Sequence, residues 1–448
     1  MQHKAGILLA LLAPALALAQ GAPELRQILD RLERLERANQ QLAEEVHALR
    51  RELAAARPAE AKPPSEAPAE PSVEERLAVQ ERRTEELAQT KVEAGHRLPV
   101  TLTGTLLFNA FWNGRYGGDA QYPLTAQASP GLRNAGGSLR QSIIGLRFDG
   151  PEIAGGQVSG NLYTDFFAGS ANSLNHLLRL RTGTIQIDWK DTSLMAGQEK
   201  PIIAPRDPHS LAQVGISPLT AAGNLWMWQP QVRAEQRFHF GESAGLNARM
   251  GIFETIESSA TNVPEYQALL TRDRPGLEGR FELWKQFGGP ARIEIAPGFH
   301  ASSTRLLGAS LPSRIVSVDW LIKPAALVDF TGTFFSGSNV AVLGSLRQGI
   351  VVVREVPHSV RSMGGWAELS FHPLPRLSFN AFTGQQDDRN RDLVRGLVAK
   401  NLVVGGNVMY RLGPNVMAAL EASRIRTTYL GTGVRLVNHY DLALAYLF

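Results

Sequence analysis

Tyr440-Asp441-Leu442-Ala443-Leu444-Ala445-Tyr446-Leu447-Phe448 is the stretch of sequence that decides the fold. Counting back from Phe448, every second residue is aromatic or leucine, whereas the alternate positions are mixed and continue through Asp441 to His439. A period of two with aromatic residues at both ends is typical of a strand that shows lipid one face and has its ends at the two membrane interfaces. The alternative for this segment alone is an ordinary amphipathic edge strand.

The phenylalanine at the end of this segment is a second signal. A final strand that ends in phenylalanine is similar to the assembly signal of bacterial outer-membrane β-barrels. We therefore predict that Phe448 is needed for assembly and that the barrel assembly machinery is a partner.

Composition is compatible with this fold. The 448 residues allow one large domain plus an appendage, and the absence of cysteine excludes disulfides and thiolate metal sites. The sequence has no apolar run of the roughly 20 residues that a transmembrane helix needs. A barrel needs none, because its lipid-facing residues alternate with polar ones.

Alternating segments recur from residue 98 to the end. In Gln231 to Phe240 one phase is mostly apolar and the other reads Gln, Arg, Glu, Arg, His; Gly276 to Trp284 shows the same division. A face this charged would fit poorly in a packed core but suits a wet lumen. Val100 to Trp112 alternates in the same way and begins the series.

Connections between these segments alternate in length, as in outer-membrane barrels with short periplasmic turns and long outer loops. The predicted fold is an all-β transmembrane barrel of about sixteen antiparallel strands, which leaves an aqueous channel. Predicted short turns are 149–151, 189–192, 285–290, 323–326, 372–376 and 412–415. Predicted long loops are 114–137, 201–230, 255–274, 336–358 and 385–397.

The first 19 residues have the pattern of a secretory signal peptide: a basic His3-Lys4, an apolar run, and Ala17-Leu18-Ala19 before the predicted cut. Export is therefore expected. Three further regions are predicted to follow the signal peptide. They are an α-helical coiled coil at 20–56, a Pro/Ala/Glu-rich linker with a short helix at 57–97, and the barrel at 98–448.

The coiled-coil prediction depends on an unbroken heptad seam with charged flanks. The flanking pairs Arg31–Glu36, Glu45–Arg50 and Glu52–Arg57 have opposite signs, which favours parallel self-association. Dimer and trimer both remain open from these residues, and a single amphipathic helix packed on the barrel is the other interpretation. The seam residues are Leu25, Ile28, Leu32, Leu35, Asn39, Leu42, Val46, Leu49 and Leu53.

Arginines on predicted strands are candidates for an anion-selective lumen, because cationic rings select anions in pores. From Arg97 to Phe448 the sequence has 33 Lys and Arg against 26 Asp and Glu, an excess of seven. The alternative is that these arginines pair with carboxylates such as Asp165 and Glu235 and only solvate the wall. The candidates are Arg179, Arg181, Arg233, Arg237 and Arg280.

The loop at 201–230 is the predicted constriction element, since it is long and could fold inward. An extracellular loop that covers a neighbour or lipid is the alternative. Asp207-x-His209 is too weak a pattern to indicate a metal site, and no metal, cofactor, catalytic constellation or nucleic-acid partner is predicted. The constriction candidates are Arg206, His209, Trp226 and Trp228.

Three short motifs resemble the DcaP-like porins: Asp165-Phe166-Phe167, Leu178-Arg179-Leu180-Arg181 and Gly197-Gln198. The phosphate-selective porins O and P are a more distant likeness. The resemblance implies a sixteen-stranded trimeric porin with a periplasmic coiled coil and a preference for small anions such as dicarboxylates. Thr182-Gly183-Thr184 stands where the family is expected to have a His-and-aromatic segment, which leaves the substrate open.

The predicted function is therefore a water-filled diffusion channel in the bacterial outer membrane for small hydrophilic solutes, favouring anions such as dicarboxylates or phosphate. Expected partners are outer-membrane lipid, copies of the same chain in a homo-oligomer with a trimer favoured, and small anionic solutes. The alternative function is a structural protein whose periplasmic coiled coil tethers or organises the envelope by contacting the cell wall.

Overall fold

The computed structural model describes residues 100–169, 176–255, 264–346 and 348–448. The predicted signal peptide, coiled coil and linker, including the whole heptad seam, lie outside the described residues. The strands are β1 (Val100–Asn113), β2 (Asn134–Ser138), β3 (Ile143–Ile153), β4 (Gly156–Ala168), β5 (Leu177–Asp188), β6 (Thr192–Glu199), β7 (Gln229–His239), β8 (Ala244–Phe253), β9 (Thr271–Gln286), β10 (Arg292–Leu306), β11 (Ala309–Ala325), β12 (Val328–Ser338), β13 (Ile350–Val353), β14 (Val356–Ser359), β15 (Arg361–Leu374), β16 (Leu377–Asp388), β17 (Val398–Arg411), β18 (Val416–Tyr429) and β19 (Gly433–Leu447). Short 3-10 helices occupy Pro264–Leu269, Val340–Leu343 and Asn390–Asp392. None of the described helices is long and apolar enough to cross a membrane.

Antiparallel pairing of each strand with the next closes the sheet into a barrel, because β19 pairs with β1 as well as with β18. β2 and β3 both pair with β1 and share one place in the wall, while β13 and β14 form a separate hairpin. The described wall therefore has sixteen strand positions, as the sequence predicts. At the seam Gly104 and Phe448 exchange two backbone hydrogen bonds, of 2.8 and 3.1 Å.

Side chains alternate between the two faces of the wall in the predicted phase. On β19, Leu442, Leu444 and Tyr446 point outward and are exposed, whereas His439 and Asp441 point into the barrel and are buried. On β9, Leu277 and Leu283 are outside and Glu278 is inside. The outer surface is consequently an apolar band and the inner surface is polar, as a barrel in lipid requires.

Strand positions agree closely with the prediction, but some connections differ. β3 continues past the predicted turn at 149–151, and the chain reverses instead at Ala154 and Gly155, which have φ of 51° and 75°. We call the end of the barrel that carries the long loops the loop end, and the opposite end the turn end. Leu307 and Gly308, between β10 and β11, make the same kind of turn at the loop end, with φ of 50° and 80°. Two successive positive φ values are typical of tight hairpins that match strand twist, so the loop end also has a short connection here.

Parts of three loops lie inside the barrel. We call residues 200–228 the inner loop, residues 114–133 the first loop and residues 339–360 the hairpin loop. Buried apolar residues of the inner loop, such as Ile203 and Leu225, pack with Val342 and Leu343 of the hairpin loop and with Phe335 on the wall. The core of this molecule therefore lies within the barrel, between loops and wall.

Candidate functional site

The inner loop crosses the bore of the barrel. It leaves the wall after β6 and returns at β7, yet the Asn407 amide on β17 donates a 2.7 Å hydrogen bond to the His209 carbonyl. β17 lies on the opposite side of the barrel from β6 and β7. Four prolines between residues 201 and 218 remove backbone donors, so this segment cannot extend the neighbouring strands as a sheet.

Glutamine and asparagine side chains of the wall satisfy the backbone of the inner loop. The Gln141 carboxamide accepts hydrogen bonds of 2.7 Å from the Val214 and Gly215 N–H groups, and it donates a 2.8 Å bond to the Ala212 carbonyl. Asn109 on β1 donates to the Leu211 carbonyl at 2.8 Å. Buried backbone polar groups require such partners, so the position of the loop is specified from both sides of the bore.

Arg179 and Arg181 meet at one buried carboxylate. The Asp165 Oδ2 atom is 2.6 Å from Arg179 Nη2 and 2.8 Å from Arg181 Nη1, and Asp165 is fully buried. Both guanidinium groups also donate to the inner loop: Arg179 to the Gly215 carbonyl and Arg181 to the Val214 carbonyl. Arg179 and Arg181, which the sequence places on one strand face, therefore form one site between the wall and the inner loop.

Aromatic rings cover this site. The guanidinium carbons of Arg181 and Arg179 lie 4.6 and 5.1 Å from the Trp228 ring centre, and Arg140 lies 4.6 Å from the Phe167 ring centre. These distances are within the range of cation–π contacts. Arg140 donates to the Phe167 carbonyl at 3.1 Å and has no carboxylate partner among the described residues, whereas Arg179 and Arg181 share Asp165. Three guanidinium groups and one carboxylate leave two positive charges in excess. The Arg179 and Arg181 side chains remain 26% and 15% exposed.

Arg206 and Arg280 belong to a second group, which is rich in carboxylates. Arg280 lies 2.7 Å from both Asp319 and Glu282, and Arg206 binds Glu294 and approaches Asp319 at 3.4 Å. Arg280 is buried, so its charge is used within the wall. Its geometry therefore agrees with the wall ion-pair interpretation.

Arg233 and Arg237 lie in a third group, on β7. Arg237 binds the Ser193 hydroxyl at 2.9 Å and the Trp189 carbonyl at 3.0 Å, and it approaches Glu235 at 3.2 Å. Arg249 pairs with the same glutamate. The Arg233 side chain is partly buried and forms no hydrogen bond or ion pair with the described residues.

His209 projects into the lumen from the inner loop. The ring Nδ1 of His209 is 2.5 Å from one Glu368 carboxylate oxygen, and the backbone N–H of His209 donates a 2.8 Å hydrogen bond to the other. The hydrogen bond with Glu368 raises the pKa of His209 above its ordinary value, although partial burial opposes that shift. The His209 side chain is 58% exposed although it lies inside the barrel. Solvent therefore reaches the lumen beside the inner loop.

Trp226 and Trp228 are buried inside the barrel. An extracellular loop that covers a neighbour or lipid would leave them exposed in a single chain. Their rings meet edge to face at 5.3 Å between centres. The Trp226 and Met227 N–H groups donate to the Leu343 carbonyl of the hairpin loop at 3.0 and 3.1 Å. Only Trp228 contacts the arginine site.

Sequence reasoning missed one constellation. His300 Nδ1 lies 3.0 Å from Glu278 and His300 Nε2 lies 2.9 Å from the Ser302 hydroxyl, an arrangement of acid, imidazole and hydroxyl. All three side chains are buried, with no room for a substrate at the hydroxyl. Glu278 also accepts a 2.5 Å hydrogen bond from the Ile202 N–H, so this group holds the start of the inner loop. Among the described residues, no cluster of three or more His, Cys, Asp or Glu could hold a metal ion.

No protein-family model and no curated protein sequence matches the chain. Solved structures do. The outer-membrane channel DcaP of Acinetobacter baumannii matches with a TM-score of 0.65 at 15% identity, over 78% of this chain and 97% of that one. A loop-deletion form of OmpT, an outer membrane protein of Vibrio cholerae, matches with a TM-score of 0.50 at 10% identity, over 78% and 99% of the two chains. An anion-selective porin from Comamonas acidovorans has a TM-score of 0.49 at 12% identity, over 78% and 100%.

These comparisons establish the fold. The first match covers nearly all of the DcaP chain and more than three quarters of this chain. The resemblance predicted from the three short motifs is therefore confirmed at the level of the fold: the described residues form a closed sixteen-stranded barrel with the architecture of the DcaP-like outer-membrane porins.

Proposed function

We propose that the protein is an outer-membrane porin, a water-filled diffusion channel that favours small anions such as dicarboxylates or phosphate. The observation that carries the proposal is the arginine site, where Arg179 and Arg181 share Asp165 against the inner loop and Arg140 lies beside them on Phe167. The outer-membrane channel DcaP, which shares the fold, supports the location and the channel function. The trimer and the periplasmic coiled coil belong to the same proposal.

Free hydrogen-bond donors at this site suit a passing anion. Arg179 uses Nε and Nη2 for Asp165 and the loop, and Arg181 uses Nη1. The Nη1 group of Arg179 and the Nη2 group of Arg181 have no partner among the described residues. A carboxylate or phosphate can accept from both, while Trp228 and Asp165 hold the two planes in place.

The wall strengthens this interaction. Charges beside a low-dielectric wall are screened less than charges in bulk water, so an excess of two positive charges biases which ion enters. Binding must remain weak enough for release. We expect millimolar apparent affinity, on the order of 4 kcal/mol.

Reversal potentials in planar bilayers test the proposal with two opposed variants. Arg179→Gln/Arg181→Gln should shift the selectivity toward cations, because the site loses its positive excess. Asp165→Asn, which has nearly the same shape, should shift it toward anions, because the excess rises. Heat modifiability on gels verifies that both variants are folded.

The opposed directions separate charge from structure. If both substitutions only loosened the wall, both reversal potentials would move the same way. A wild-type pore that already prefers cations, or a double variant that conducts anions unchanged, would show that these arginines are wall ion pairs and that the anion preference is wrong.

A further inference from the structure

A row of arginines lies on the outer face of the barrel at its loop end. In the register of the sheet, Arg314 of β11 is opposite Ser338 of β12, and Ser338 is opposite Arg361 of β15. The Arg389 N–H, just after β16, donates a 2.8 Å hydrogen bond to the Arg361 carbonyl. Four adjacent strands therefore place three arginines and a serine at one height, with Arg314 and Arg361 about 10 Å apart at two strand spacings.

These side chains face away from the lumen. Their inward neighbours Ser313, Ser362 and Asp388 are buried, whereas Arg314 and Arg361 are exposed. Two residues further along the wall, the same outer phase continues as Val316 and Met363, both exposed. The arginine row thus borders the apolar band directly, at the height where lipid headgroups meet a barrel.

The positive charge of the row is not compensated within the described residues. The Arg314, Arg361 and Arg389 side chains form no ion pair or hydrogen bond there. Two carboxylates lie beside the row, and each has a cation of its own. Asp392 accepts a 3.1 Å hydrogen bond from the Arg361 backbone N–H and lies 3.7 Å from Arg391, and Asp387 is paired with Lys400 at 2.6 Å. Three like charges at one height repel each other unless an anion neutralises them.

The row encloses a suitable space. Small-ligand sites usually measure roughly 300–1,000 Å³. The depression beside the arginine row measures about 520 Å³. Its walls include all three arginines together with Ser336, Ser338 and Met363, and also Asp387, whose carboxylate is paired with Lys400. It therefore offers guanidinium and hydroxyl donors at one side and an apolar surface at the other.

We propose that this depression binds the phosphate group of a lipid headgroup in the membrane leaflet at the loop end of the barrel. Arginine's planar fork matches phosphate oxygens, and three unpaired forks at one height can hold a doubly charged group. The lipid's acyl chains continue along Val316, Phe334 and Met363, which a soluble phosphate cannot use. The inference rests on the proposed membrane embedding of the barrel.

Native mass spectrometry of the full chain, released from nanodiscs that contain diphosphorylated lipid A in neutral phosphatidylcholine, tests the site. We compare Arg361→Gln/Arg389→Gln with Arg376→Gln/Arg411→Gln, a matched pair that removes two exposed arginines at the turn end. The first variant should retain at least tenfold less lipid A than wild type, and the second should retain as much. Lipid A without its phosphates should bind neither variant nor wild type.

Three outcomes would overturn the proposal. Equal loss in both double variants would mean that general positive charge attracts the lipid. Displacement of lipid A by millimolar inorganic phosphate would identify a site for the soluble anion. Retention of lipid A by Arg361→Gln/Arg389→Gln would exclude the row. Failure of wild type to enter phosphatidylcholine nanodiscs would instead contradict membrane embedding, so the two failures remain distinguishable.

Discussion

Phe448 closes the barrel through its backbone and covers the start of β1 with its ring. A side chain at Gly104 would overlap this ring and the Ile143 carbonyl, so the seam allows only glycine there without displacement. Phe448 also stacks near Tyr446, with 6.5 Å between ring centres. Phe448, the residue that the sequence predicts to be needed for assembly, therefore lies at the seam where β19 meets β1.

Phe448→Ala should lower the amount of folded, heat-modifiable barrel in the membrane, since it removes both the predicted assembly signal and the ring that covers Gly104. Immunoblots of unheated and heated membrane fractions measure this. Phe287→Ala, which removes an exposed aromatic from a turn, serves as control. Equal amounts of folded Phe448→Ala and wild type would contradict the assembly role.

His209 makes the attachment of the inner loop depend on pH. Its raised pKa means that the charged pair with Glu368 contributes fully below the ordinary pKa and is lost as pH rises through the folded pKa. Open-channel current noise in wild type should therefore increase with rising pH across that interval. His209→Gln, which keeps a donor without titrating, should show no such step; an identical pH dependence in both proteins would refute the role of His209.

At the residue scale, the sequence predicts which side chains share a strand face but not what they meet. Arg179 and Arg181 alternate on β5, and a local period of two places both in the lumen. Arg140 and Trp228 join them only because the inner loop crosses the bore, and no local pattern encodes a contact of that range. For the same reason, the sequence does not predict the contact of His300 with Glu278.

At the scale of elements, the inner loop is held by few side chains that each satisfy several backbone groups. Gln141→Leu should loosen it, because the Val214 and Gly215 N–H groups would lose their acceptor at about 1–3 kcal/mol each. Single-channel recordings should show more frequent transitions between conductance levels. Gln157→Leu, at the exposed start of β4, is the control. A quiet Gln141→Leu channel would mean that other contacts suffice.

Strands were predictable to within a few residues, because alternation and turn residues are local signals. β2 lies almost entirely within the predicted loop 114–137. Leu139 to Ser142 separate it from β3 and place Arg140 and Gln141 against the inner loop and β4. The hairpin formed by β13 and β14 lay unseen in a predicted loop, since four-residue strands carry little periodicity. Interior loops depend on the whole barrel for their burial.

For the whole molecule, the heptad seam predicts self-association through residues 24–56. Deleting these residues should weaken a homotrimer without unfolding the barrel, because the described wall closes on itself within one chain. Mass measurement in detergent, combined with heat modifiability, tests both parts. A full-length monomer would contradict the oligomer, and an unfolded deletion variant would contradict the independence of the barrel.

The closed seam has a consequence for the order of events in time. Most neighbouring strands are joined by short connections and can meet early, but β1 must wait for β19, more than 300 residues later. Closing so long a segment costs about 5 kcal/mol of chain entropy, and the ends must search for each other last. Until they meet, two bare strand edges invite pairing with another copy. A protein that pairs with the free edge of β1 or β19 during this delay would therefore determine how fast, and how accurately, the barrel closes.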